Sequence, residues 1–428
     1  MQSQYKVSVT GLGYVGLMIA SAFGTKGKVI GLDKSRVRIE ELKKGYDRNG
    51  ELTAKQLKKN GIQYTTNPHD LRKANFHIIA VPTPIDGGNR PDLSILLSAS
   101  ETVGKELKKG DIVVYESSVY PGATEEKCIP VLEKASHLVC GKDFSVGYSP
   151  ERINPADKEH ILANIPKIVA AINKEALDAI SKVYNQIVKV GVYPVSNIQV
   201  AEAAKIVENI QRDINISFVN EIALIMHSLG LDSKEVLAAA GTKWNFLPFR
   251  PGLVGGHCVS VNSCYLTHCA EENGYHPDMI LAGRRVNEQM PKFIADSAIK
   301  ELIKLDIPIK GARIAVLGLT YKENCPDVHY TRVIDIIKEL ESYGTTVLIH
   351  DPLASHEIAR RDLGVELTSW KELQTVDAAI VMVAHNEYIR LKSSDLTDLV
   401  KQGGLIMDVK SILNFDELKD LGIKLWRL

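Results

Sequence analysis

Short apolar runs alternate with stretches of helical periodicity in two separate parts of the chain. The runs that indicate buried strands lie at 6–10, 29–32, 76–81, 112–116 and 144–148, and again at 312–317, 346–350, 378–383 and 404–408. Strands that alternate with helices form mostly parallel sheets that are covered by helices on both faces. The pattern therefore predicts an α/β protein with two doubly wound, Rossmann-like domains.

A long helical region separates these two parts. Residues 199–229 contain no proline or glycine and are followed by Gly230, and 266–305 also has a helical pattern. Because glycine and proline are the commonest helix breakers, 199–229 is predicted to be one long helix. We expect three domains, at 1–198, 199–305 and 306–428, in which the central helices join the two Rossmann-like domains and form a dimer interface.

Composition narrows the choice of partner and compartment. The chain has 428 residues with 52 Lys and Arg against 52 Asp and Glu, so its net charge does not favour nucleic acid or an anionic membrane as a partner. No apolar run approaches the roughly 18 residues of a membrane-spanning helix. The 6 cysteines form no C-x-x-C pair and no secretory leader is recognisable, so we expect reduced thiols and a cytoplasmic location.

A glycine motif, Gly11-Leu12-Gly13-Tyr14-Val15-Gly16, follows the first predicted strand and opens the first predicted helix. In such a G-x-G-x-x-G turn the glycines permit a tight bend, close approach of a pyrophosphate and packing of helix on strand. The helix N-terminus favours the phosphate charge. Asp33 ends the second predicted strand, where a carboxylate accepts from a ribose 2′-OH and repels a 2′-phosphate. These residues predict a dinucleotide site that prefers NAD to NADP.

Polar residues follow three further strands of the first predicted sheet. They are Pro82-Thr83-Pro84, Ser117-Ser118 and Ser149-Pro150-Glu151-Arg152. Ligands of doubly wound sheets bind beyond the carboxyl ends of the strands. Each group alone is also compatible with turn chemistry, but their common placement at one edge favours a ligand site.

A cysteine follows two glycines in the stretch Leu253-Val254-Gly255-Gly256-His257-Cys258. Glycine permits a tight turn or a close approach to a ligand, and a catalytic thiol needs an open, fixed loop. On the long central helix, Lys205, Asn209 and Arg212 are spaced i, i+4 and i+7 and share one face. Such a face is either solvated or an anion and oxyanion binder. Likewise, Cys258 is either a nucleophile or a small buried apolar residue.

Residues of types that bind zinc also lie close in sequence, namely His257, Cys258, Cys264, His268 and Cys269. The segment has neither a C-x-x-C nor an H-E-x-x-H core, so we expect no metal site.

A phosphate site is predicted in another part of the chain. The turn 318–322 follows the first strand of the second α/β part and ends at Lys322, whose ammonium group can bind a phosphate as a point charge. This predicts a second nucleotide-type ligand.

These motifs together resemble the UDP-glucose/GDP-mannose 6-dehydrogenase family over nearly the full chain. The segments that carry the resemblance are 11–16, 81–84, 115–122, 148–155, 201–220, 255–258 and 318–327. The chain is most similar to the branch of UDP-N-acetylhexosamine 6-dehydrogenases, which make the corresponding uronic acids for bacterial surface polysaccharides. The resemblance implies NAD as cofactor, a UDP-N-acetylhexosamine as substrate, and a homodimer built through the central helix.

The resemblance also implies a mechanism with two successive hydride transfers from C6 of the sugar. Cys258 captures the intermediate aldehyde as a thiohemiacetal, which is oxidised to a thioester and hydrolysed to the carboxylate. Lys205 and Asn209 face the developing oxyanion, and Glu151 places or activates the water. Ser118 supplies a hydroxyl where the family usually has threonine.

Two ligand sets follow from the same resemblance. The cofactor set comprises Gly11, Gly13, Tyr14, Val15, Gly16, Asp33, Arg38, Pro82, Thr83, Ser117, Ser118, Glu151 and His329. The substrate set comprises Arg152, Lys205, Asn209, Arg212, Arg250, Gly255 and Lys322. Within the second set, Lys322 and Arg250 are the expected contacts of the UDP group.

The chain departs from the family pattern near the cysteine and near the turn that carries Lys322. The branch reads G-G-H-C-I-G-V-D-P-Y-Y-L. Besides the conservative change to Val259, this chain differs there at four positions, Ser260, Asn262, Ser263 and Cys264. Asn262 replaces an aspartate of the catalytic set, and an amide cannot accept a proton. His329 replaces an arginine expected near the phosphates of the cofactor and is a weaker, pH-dependent donor, while Tyr330 replaces a small polar residue.

Three hypotheses therefore stand. The chain is an ordinary four-electron 6-dehydrogenase, an NAD-dependent enzyme of altered chemistry such as an epimerase or partial oxidiser, or a nucleotide-sugar binding protein without catalysis. The presence of Cys258, Lys205, Asn209 and Glu151 together favours the first. The sequence leaves the configuration of the sugar at C2 and C4 open among N-acetylglucosamine, N-acetylgalactosamine and N-acetylmannosamine.

Overall fold

The computed structural model describes residues 5–153, 159–373, 375–419 and 421–428, and for residues 257, 258 and 260 it describes the backbone only. The chain divides into two compact units. The first unit is made of the described parts of Met1–Asn209 together with Val261–His276, and the second unit is made of Ile210–Ser260 with the described parts of Pro277–Leu428.

The first unit contains an eight-stranded sheet in the order β3-β2-β1-β4-β5-β6-β7-β8. Its strands are β1 Val7–Thr10, β2 Val29–Leu32, β3 Ile62–Thr65, β4 Phe76–Ile79, β5 Ile112–Tyr115, β6 Ser145–Tyr148, β7 Lys167–Ala171 and β8 Val192–Pro194. Neighbouring strands are parallel except β6 and β7, which are antiparallel. The central strands are buried along their whole length because helices cover both faces of the sheet.

Helices surround this sheet. They are α1 Tyr14–Gly24, α2 Arg36–Lys43, α3 Ala54–Lys59, α4 Ser94–Gly104, α5 Ile129–Ser136 and α6 Lys174–Tyr184, with shorter helical turns at Pro68–Lys73, Thr124–Cys128 and Leu162–Asn164. The strand order reverses between β1 and β4, both of which leave their carboxyl ends beside the glycine turn. Such a reversal is where doubly wound sheets bind ligands.

The central helices follow. They are α7 Ile198–Leu229, α8 Ser233–Ala240, α9 His257–Glu272 and α10 Asp278–Lys304. The long helix predicted over 199–229 is confirmed. The helical segment predicted over 266–305 is wrong as a single piece, because a turn that contains Gly274, with φ +77°, separates α9 from α10.

The second unit contains a five-stranded parallel sheet in the order β10-β9-β11-β12-β13. Its strands are β9 Arg313–Leu317, β10 Thr346–His350, β11 Val376–Val381, β12 Val400–Asp408 and β13 Lys424–Arg427. Its helices are α11 Val333–Ser342, α12 His356–Ile358, α13 Asn386–Ile389, α14 Ser393–Leu399 and α15 Phe415–Leu418, with helical turns at Ala359–Leu363 and Trp370–Glu372. The prediction of two Rossmann-like sheets with a helical region between them in sequence is confirmed.

Two apolar clusters cover the faces of the second sheet. One joins α10 and α11 to β9 through buried residues such as Ile294, Ile314 and Ile336. The other contains Tyr388 and Leu396. Among the described residues, no helix combines the length and apolar character that crossing a membrane would require.

Candidate functional site

The glycine turn of the first unit has the backbone that a bound dinucleotide requires. Gly11 has φ +90°, and a Cβ there would lie 2.5 Å from the carbonyl oxygen of Ala80. A Cβ at Gly16 would lie 1.8 Å from the carbonyl oxygen of Gly11, so helix α1 packs on the turn only with glycine there. A Cβ at Gly13 would meet no described atom within 4 Å. Gly13 therefore leaves open space in front of the helix.

Helix α1 presents its N-terminus to that space. No side chain among the described residues caps the helix, and its first turn, which contains Tyr14 and Val15, holds no acidic residue. Uncapped N–H groups and the helix dipole favour an anion at this point. The open space at Gly13 and the uncapped helix thus fit a pyrophosphate group.

Asp33 and Arg38 hold the turn from the side of β2. Asp33 Oδ2 accepts from the Leu12 N–H at 2.8 Å and Oδ1 accepts from the Ser35 N–H at 2.8 Å. The buried Arg38 donates from Nε to the carbonyl oxygen of Leu12 at 2.9 Å and pairs with Asp47 at 2.7 Å. In the described structure Arg38, which the sequence placed in the cofactor set, therefore supports the glycine turn.

The loops after β4 and β5 are fastened to each other. Ser117 Oγ accepts from the Val81 N–H at 3.0 Å and donates to the Val81 carbonyl at 2.7 Å. Thr83 Oγ1 donates to the Ser118 carbonyl at 2.7 Å, and the Tyr265 hydroxyl of α9 donates to the Thr83 carbonyl at 2.6 Å. Pro82 lies between these contacts, so the rim predicted from the strand ends is one connected structure.

The loop after β6 carries Glu151 and Arg152. Glu151 is only 6% exposed, and its Oε1 accepts from the Ile153 N–H. Its Oε2 is buried and has no hydrogen-bond partner in the described part of the chain. Arg152 pairs with Glu208 of α7 at 2.7 Å and donates to the Pro166 carbonyl at 2.7 Å. This loop is therefore fixed against α7.

Helices α7 and α9 add buried polar side chains to the first unit. Lys205, Asn209 and Asn262 are all buried. The Nδ2 atoms of Asn209 and Asn262 lack a hydrogen-bond partner among the described residues, as does Glu151 Oε2. Buried polar atoms without a partner are rare and cost about 1–3 kcal/mol each. We therefore expect these three atoms to face a ligand or water. Arg212, predicted to share one face of α7 with Lys205 and Asn209, is exposed.

The two glycines before Cys258 serve contacts within the second unit. Gly256 has φ +83°, and a Cβ there would lie 2.6 Å from the Tyr321 ring. A Cβ at Gly255 would lie 2.8 Å from the Tyr330 carbonyl oxygen, which accepts from the Gly256 N–H at 3.1 Å. The loop predicted around the cysteine is wrong, because α9 begins at His257 and places the Cys258 backbone in a first helical turn. The Cys258 thiol lies outside the described residues.

An open pocket, with about 320 Å³ of empty space that includes open solvent, lies at the carboxyl ends of β9, β11 and β12 in the second unit. The strand order of this sheet reverses between β9 and β11, so the pocket occupies the switch point. Three of its lining residues are cationic, namely Lys322, Arg332 and Lys410. Lys322 was predicted from its place after β9. Arg332 and Lys410 were missed, although Lys410 has the same kind of position after β12.

A buried network holds the turn that carries Lys322. Asp351 Oδ2 accepts from the Leu319 and Thr320 N–H groups at 2.7 and 3.0 Å. His385 Nδ1 accepts from the Asn324 N–H at 3.0 Å, so Nε2 carries the proton and donates to Asp351 at 3.2 Å. Burial opposes the charge of Asp351, but the hydrogen bonds from His385 and the backbone outweigh it and hold the pKa of this carboxyl well below its usual range.

The remaining candidates of the second unit are His329 and Arg250. His329 pairs with Asp327 at 2.6 Å and Asp362 at 3.3 Å. The hydrogen bond with Asp327 raises the pKa of His329. Arg250 is exposed. Within the described residues, His329 is therefore engaged by carboxylates of its own unit.

The side-chain clusters of the described residues do not form a metal site. Across the described residues, no three His, Cys, Asp or Glu side chains lie close enough to hold a metal ion. His268, one of the residues considered for zinc, pairs with Glu272 at 3.4 Å. The side chains of His257 and Cys258 lie outside the described residues.

Comparison with known proteins decides the family. Three domain families match the chain in sequence order: the NAD binding domain of the UDP-glucose/GDP-mannose dehydrogenase family at residues 5–188, its central domain at 199–289 and its UDP binding domain at 315–415. The chain belongs to this family. Its first domain is the NAD binding domain, so the predicted NAD cofactor and dehydrogenase activity are confirmed.

Individual members of the family resemble the chain over almost its entire length. It is 55% identical over 422 residues to protein CapL of Staphylococcus aureus, which covers 99% of each chain. It is 48% identical over 413 residues to UDP-N-acetyl-D-glucosamine 6-dehydrogenase of Pseudomonas aeruginosa, covering 96% of this chain and 98% of the relative. The solved structure of UDP-D-ManNAc dehydrogenase from Pyrococcus horikoshii has a TM-score of 0.88 at 28% identity and covers 99% and 98% of the two chains.

Proposed function

We propose that this dehydrogenase oxidises C6 of a UDP-N-acetylhexosamine to the carboxylate and consumes two NAD per sugar. The observation that carries the proposal is the 48% identity, over nearly all of both chains, to a UDP-N-acetyl-D-glucosamine 6-dehydrogenase. Overall, one alcohol, one water and two NAD⁺ give one carboxylate, two NADH and three protons. When bound, NAD accepts a hydride in each of the two oxidations.

The proposed covalent steps use Cys258. Its sulfur adds to the C6 aldehyde to form a thiohemiacetal, whose oxidation gives a thioester. The first turn of α9 suits this nucleophile, because a helix N-terminus stabilises negative charge. The ammonium group of Lys205 stabilises the oxyanion at C6 by its positive charge, and the side-chain amide of Asn209 donates a hydrogen bond to it. Glu151 takes a proton from the water that hydrolyses the thioester. Ser118, which directly follows Ser117 in sequence, supplies a hydroxyl group.

The proposed ligand contacts divide between the two units. In the first unit, the N-terminus of α1 binds the pyrophosphate of NAD and the Asp33 carboxylate binds a ribose hydroxyl. In the second unit, Lys322, Arg332 and Lys410 neutralise the diphosphate of the UDP group. Arg152, Arg212, Arg250, Gly255 and His329 remain sequence-based candidates for ligand contacts.

We also infer a homodimer in the cytoplasm. The second unit exposes Phe218, Ile225 and Leu229 on α7. Their spacing of seven and four residues places these three side chains on one face of the helix. An exposed apolar stripe of this kind supports association with a second copy. Cys128, Cys140 and Cys269 are free thiols, which fits a reducing compartment.

Product stoichiometry tests the proposal. Purified protein is incubated with limiting UDP-N-acetylglucosamine, UDP-N-acetylgalactosamine or UDP-N-acetylmannosamine and excess NAD, and NADH and uronate are measured. We expect two NADH per sugar with at least one of the three. One NADH per sugar would indicate release of the aldehyde, and none would indicate an epimerase or a binding protein. The dehydrogenase names of the relatives do not favour these alternatives.

Asn262→Asp tests whether the amide at this position limits the rate. We expect a higher kcat, because a carboxylate accepts a proton and an amide does not, with the same two NADH per sugar. The competing effect is desolvation, since Asn262 is only 1% exposed and a charge there is costly without a partner. Steady-state kinetics with the best UDP-sugar measure the change. A lower kcat would show that the site is adapted to the neutral amide.

A further inference from the structure

A buried ion pair in the first unit has no place in the mechanism above. Lys167, the first residue of β7, lies with Nζ 2.7 Å from Oε2 of Glu116, which follows β5. The Tyr184 hydroxyl donates to the other Glu116 oxygen at 2.6 Å. The side chains of Lys167 and Glu116 are 4% and 0% exposed. Burying such a pair seldom adds net stability, because both ions lose their hydration.

The other contacts of Lys167 lead to the candidate active site. Its Nζ donates to the Pro150 carbonyl at 2.9 Å and approaches the Ser149 carbonyl at 3.4 Å. An ammonium group has three donors, and here they meet Glu116 and these two carbonyls. Ser149 and Pro150 directly precede Glu151. The lysine therefore fixes the backbone from which the Glu151 side chain projects.

Glu151 depends on that backbone for its orientation. Its Oε1 is held by the Ile153 N–H, two residues further along. Its Oε2 is buried and, in the part of the chain described, has no hydrogen-bond partner. The Oε2 atom is thus available to a ligand or a water, and the backbone that carries it is held by Lys167.

The two carboxylates also interact electrostatically. Burial raises the pKa of Glu116 to about 7, and the charge of Glu151 contributes in the same direction. Lys167 opposes both effects. By its 2.7 Å contact, Glu116 is the counter-ion of the buried ammonium group, and it lies within electrostatic range of Glu151.

We propose that Lys167 is a positioning residue, which holds the 149–150 carbonyls so that Glu151 can activate the hydrolytic water. This inference rests on the proposed function, in which the oxygen of water bonds to the acyl carbon on Cys258. One water proton passes to Glu151, and the C–S bond breaks with its electron pair on sulfur. Hydrolysis of the acyl-enzyme depends on Lys167, whereas formation of the acyl-enzyme does not.

The experiment follows NADH release and the intact mass of the protein in the same quenched reactions. With Lys167→Met we expect both NADH to form in the first turnover, and then acyl-enzyme to accumulate on Cys258. Steady-state kcat falls about 100-fold, a loss at the lower end of what one catalytic acid or base contributes. Because formation of the acyl-enzyme is unaffected, kcat/KM for the UDP-sugar should stay close to that of the wild type and KM should fall together with kcat.

Three further variants separate positioning from stability. Glu116→Gln with Lys167→Met removes both buried charges at similar volume, and it is expected to fold and still accumulate acyl-enzyme. Glu116→Gln alone leaves a buried ammonium group without its counter-ion, so we expect a lower melting temperature. Because the two carbonyls remain partners of Lys167, acyl-enzyme should not accumulate in the folded fraction of this variant. Lys174→Met, which removes an exposed lysine paired with Asp178 at 3.2 Å, is the matched control and should behave as the wild type.

The outcomes distinguish this inference from the proposed function. Folded Lys167 variants that turn over without acyl-enzyme would overturn the positioning role. Loss of the fold in the double variant would assign the pair a purely structural role and would overturn it as well. Failure of the wild type to give two NADH per sugar would instead contradict the proposed function. Thermal melting of each variant establishes which case applies.

Discussion

Replacement of Cys258 by alanine is expected to abolish uronate formation. Without the sulfur no thiohemiacetal forms, so the aldehyde is not held for the second oxidation. We expect uronate production to fall roughly 1,000-fold or more, as when a covalent nucleophile is removed from other enzymes. The measurement is uronate and NADH per UDP-sugar under single-turnover conditions. The fold should persist, because α9 continues to Glu272 and alanine is a good helix former.

The matched control for this variant is Cys264→Ala. Cys264 lies on the same helix, α9, and is partly buried. Its replacement changes the same chemical group at a position without a proposed covalent role, and uronate formation should stay near the wild-type rate. If Cys258→Ala formed uronate undiminished, the thioester route would be excluded. If both variants lost activity equally, the loss at Cys258 would be one of helix packing and not of nucleophilic chemistry.

The parts of the fold that the sequence predicted well are those where burial on both faces imposes an apolar run. Strands β1, β2, β4 and β5 are buried throughout. Edge strands have no such constraint. Strand β3 contains the exposed Gln63, and β13 begins with the exposed Lys424, so neither has a continuous apolar run and neither was predicted. Two strands depart from this rule. Strand β7 is almost entirely buried and does not lie at an edge but was missed, whereas β10 lies at an edge of the second sheet and was predicted.

The start of α9 was missed for a different reason. Gly255 and Gly256 suggested an open, fixed loop that would extend through the cysteine. In the structure these glycines allow close contact with Tyr321 and Tyr330. The turn ends at Gly256. Residues 257–262 contain no helix breaker, so the helix begins directly after Gly256. A glycine pair indicates a close approach but does not show what approaches.

The candidate site shows the same limit at the level of side chains. Periodicity placed Lys205, Asn209 and Arg212 on one face of α7, and the structure buries the first two but exposes the third. Helical spacing predicts the direction in which a side chain points. Whether that side chain is buried depends on segments that are distant in sequence. Lys167 had no signal in the sequence at all. Its partner Glu116 is 51 positions away, and only the fold brings the two together.

Gly256→Ala is expected to have the second largest effect after the loss of Cys258. The residue has φ +83°, where an alanine costs about 1 kcal/mol or more because its Cβ approaches the following carbonyl. The added Cβ would also lie 2.6 Å from the Tyr321 ring. Tyr321 lines the cationic pocket, so the ring must move within the proposed UDP site. We expect kcat/KM for the UDP-sugar to fall at least about 100-fold, which corresponds to roughly 3 kcal/mol.

Gly274→Ala separates the strain from the clash. Gly274 has φ +77°, close to that of Gly256, but a Cβ there would meet no described atom within 4 Å. This control should lose a similar amount of stability through strain alone and keep its kcat/KM. The comparison uses thermal melting together with kinetics at varied UDP-sugar concentration. Equal kinetic behaviour of the two variants would mean that the approach of Gly256 to Tyr321 does not shape the pocket. If only Gly256→Ala loses kcat/KM for the UDP-sugar, the glycine pair that precedes the start of α9 also shapes the proposed UDP site in the second unit.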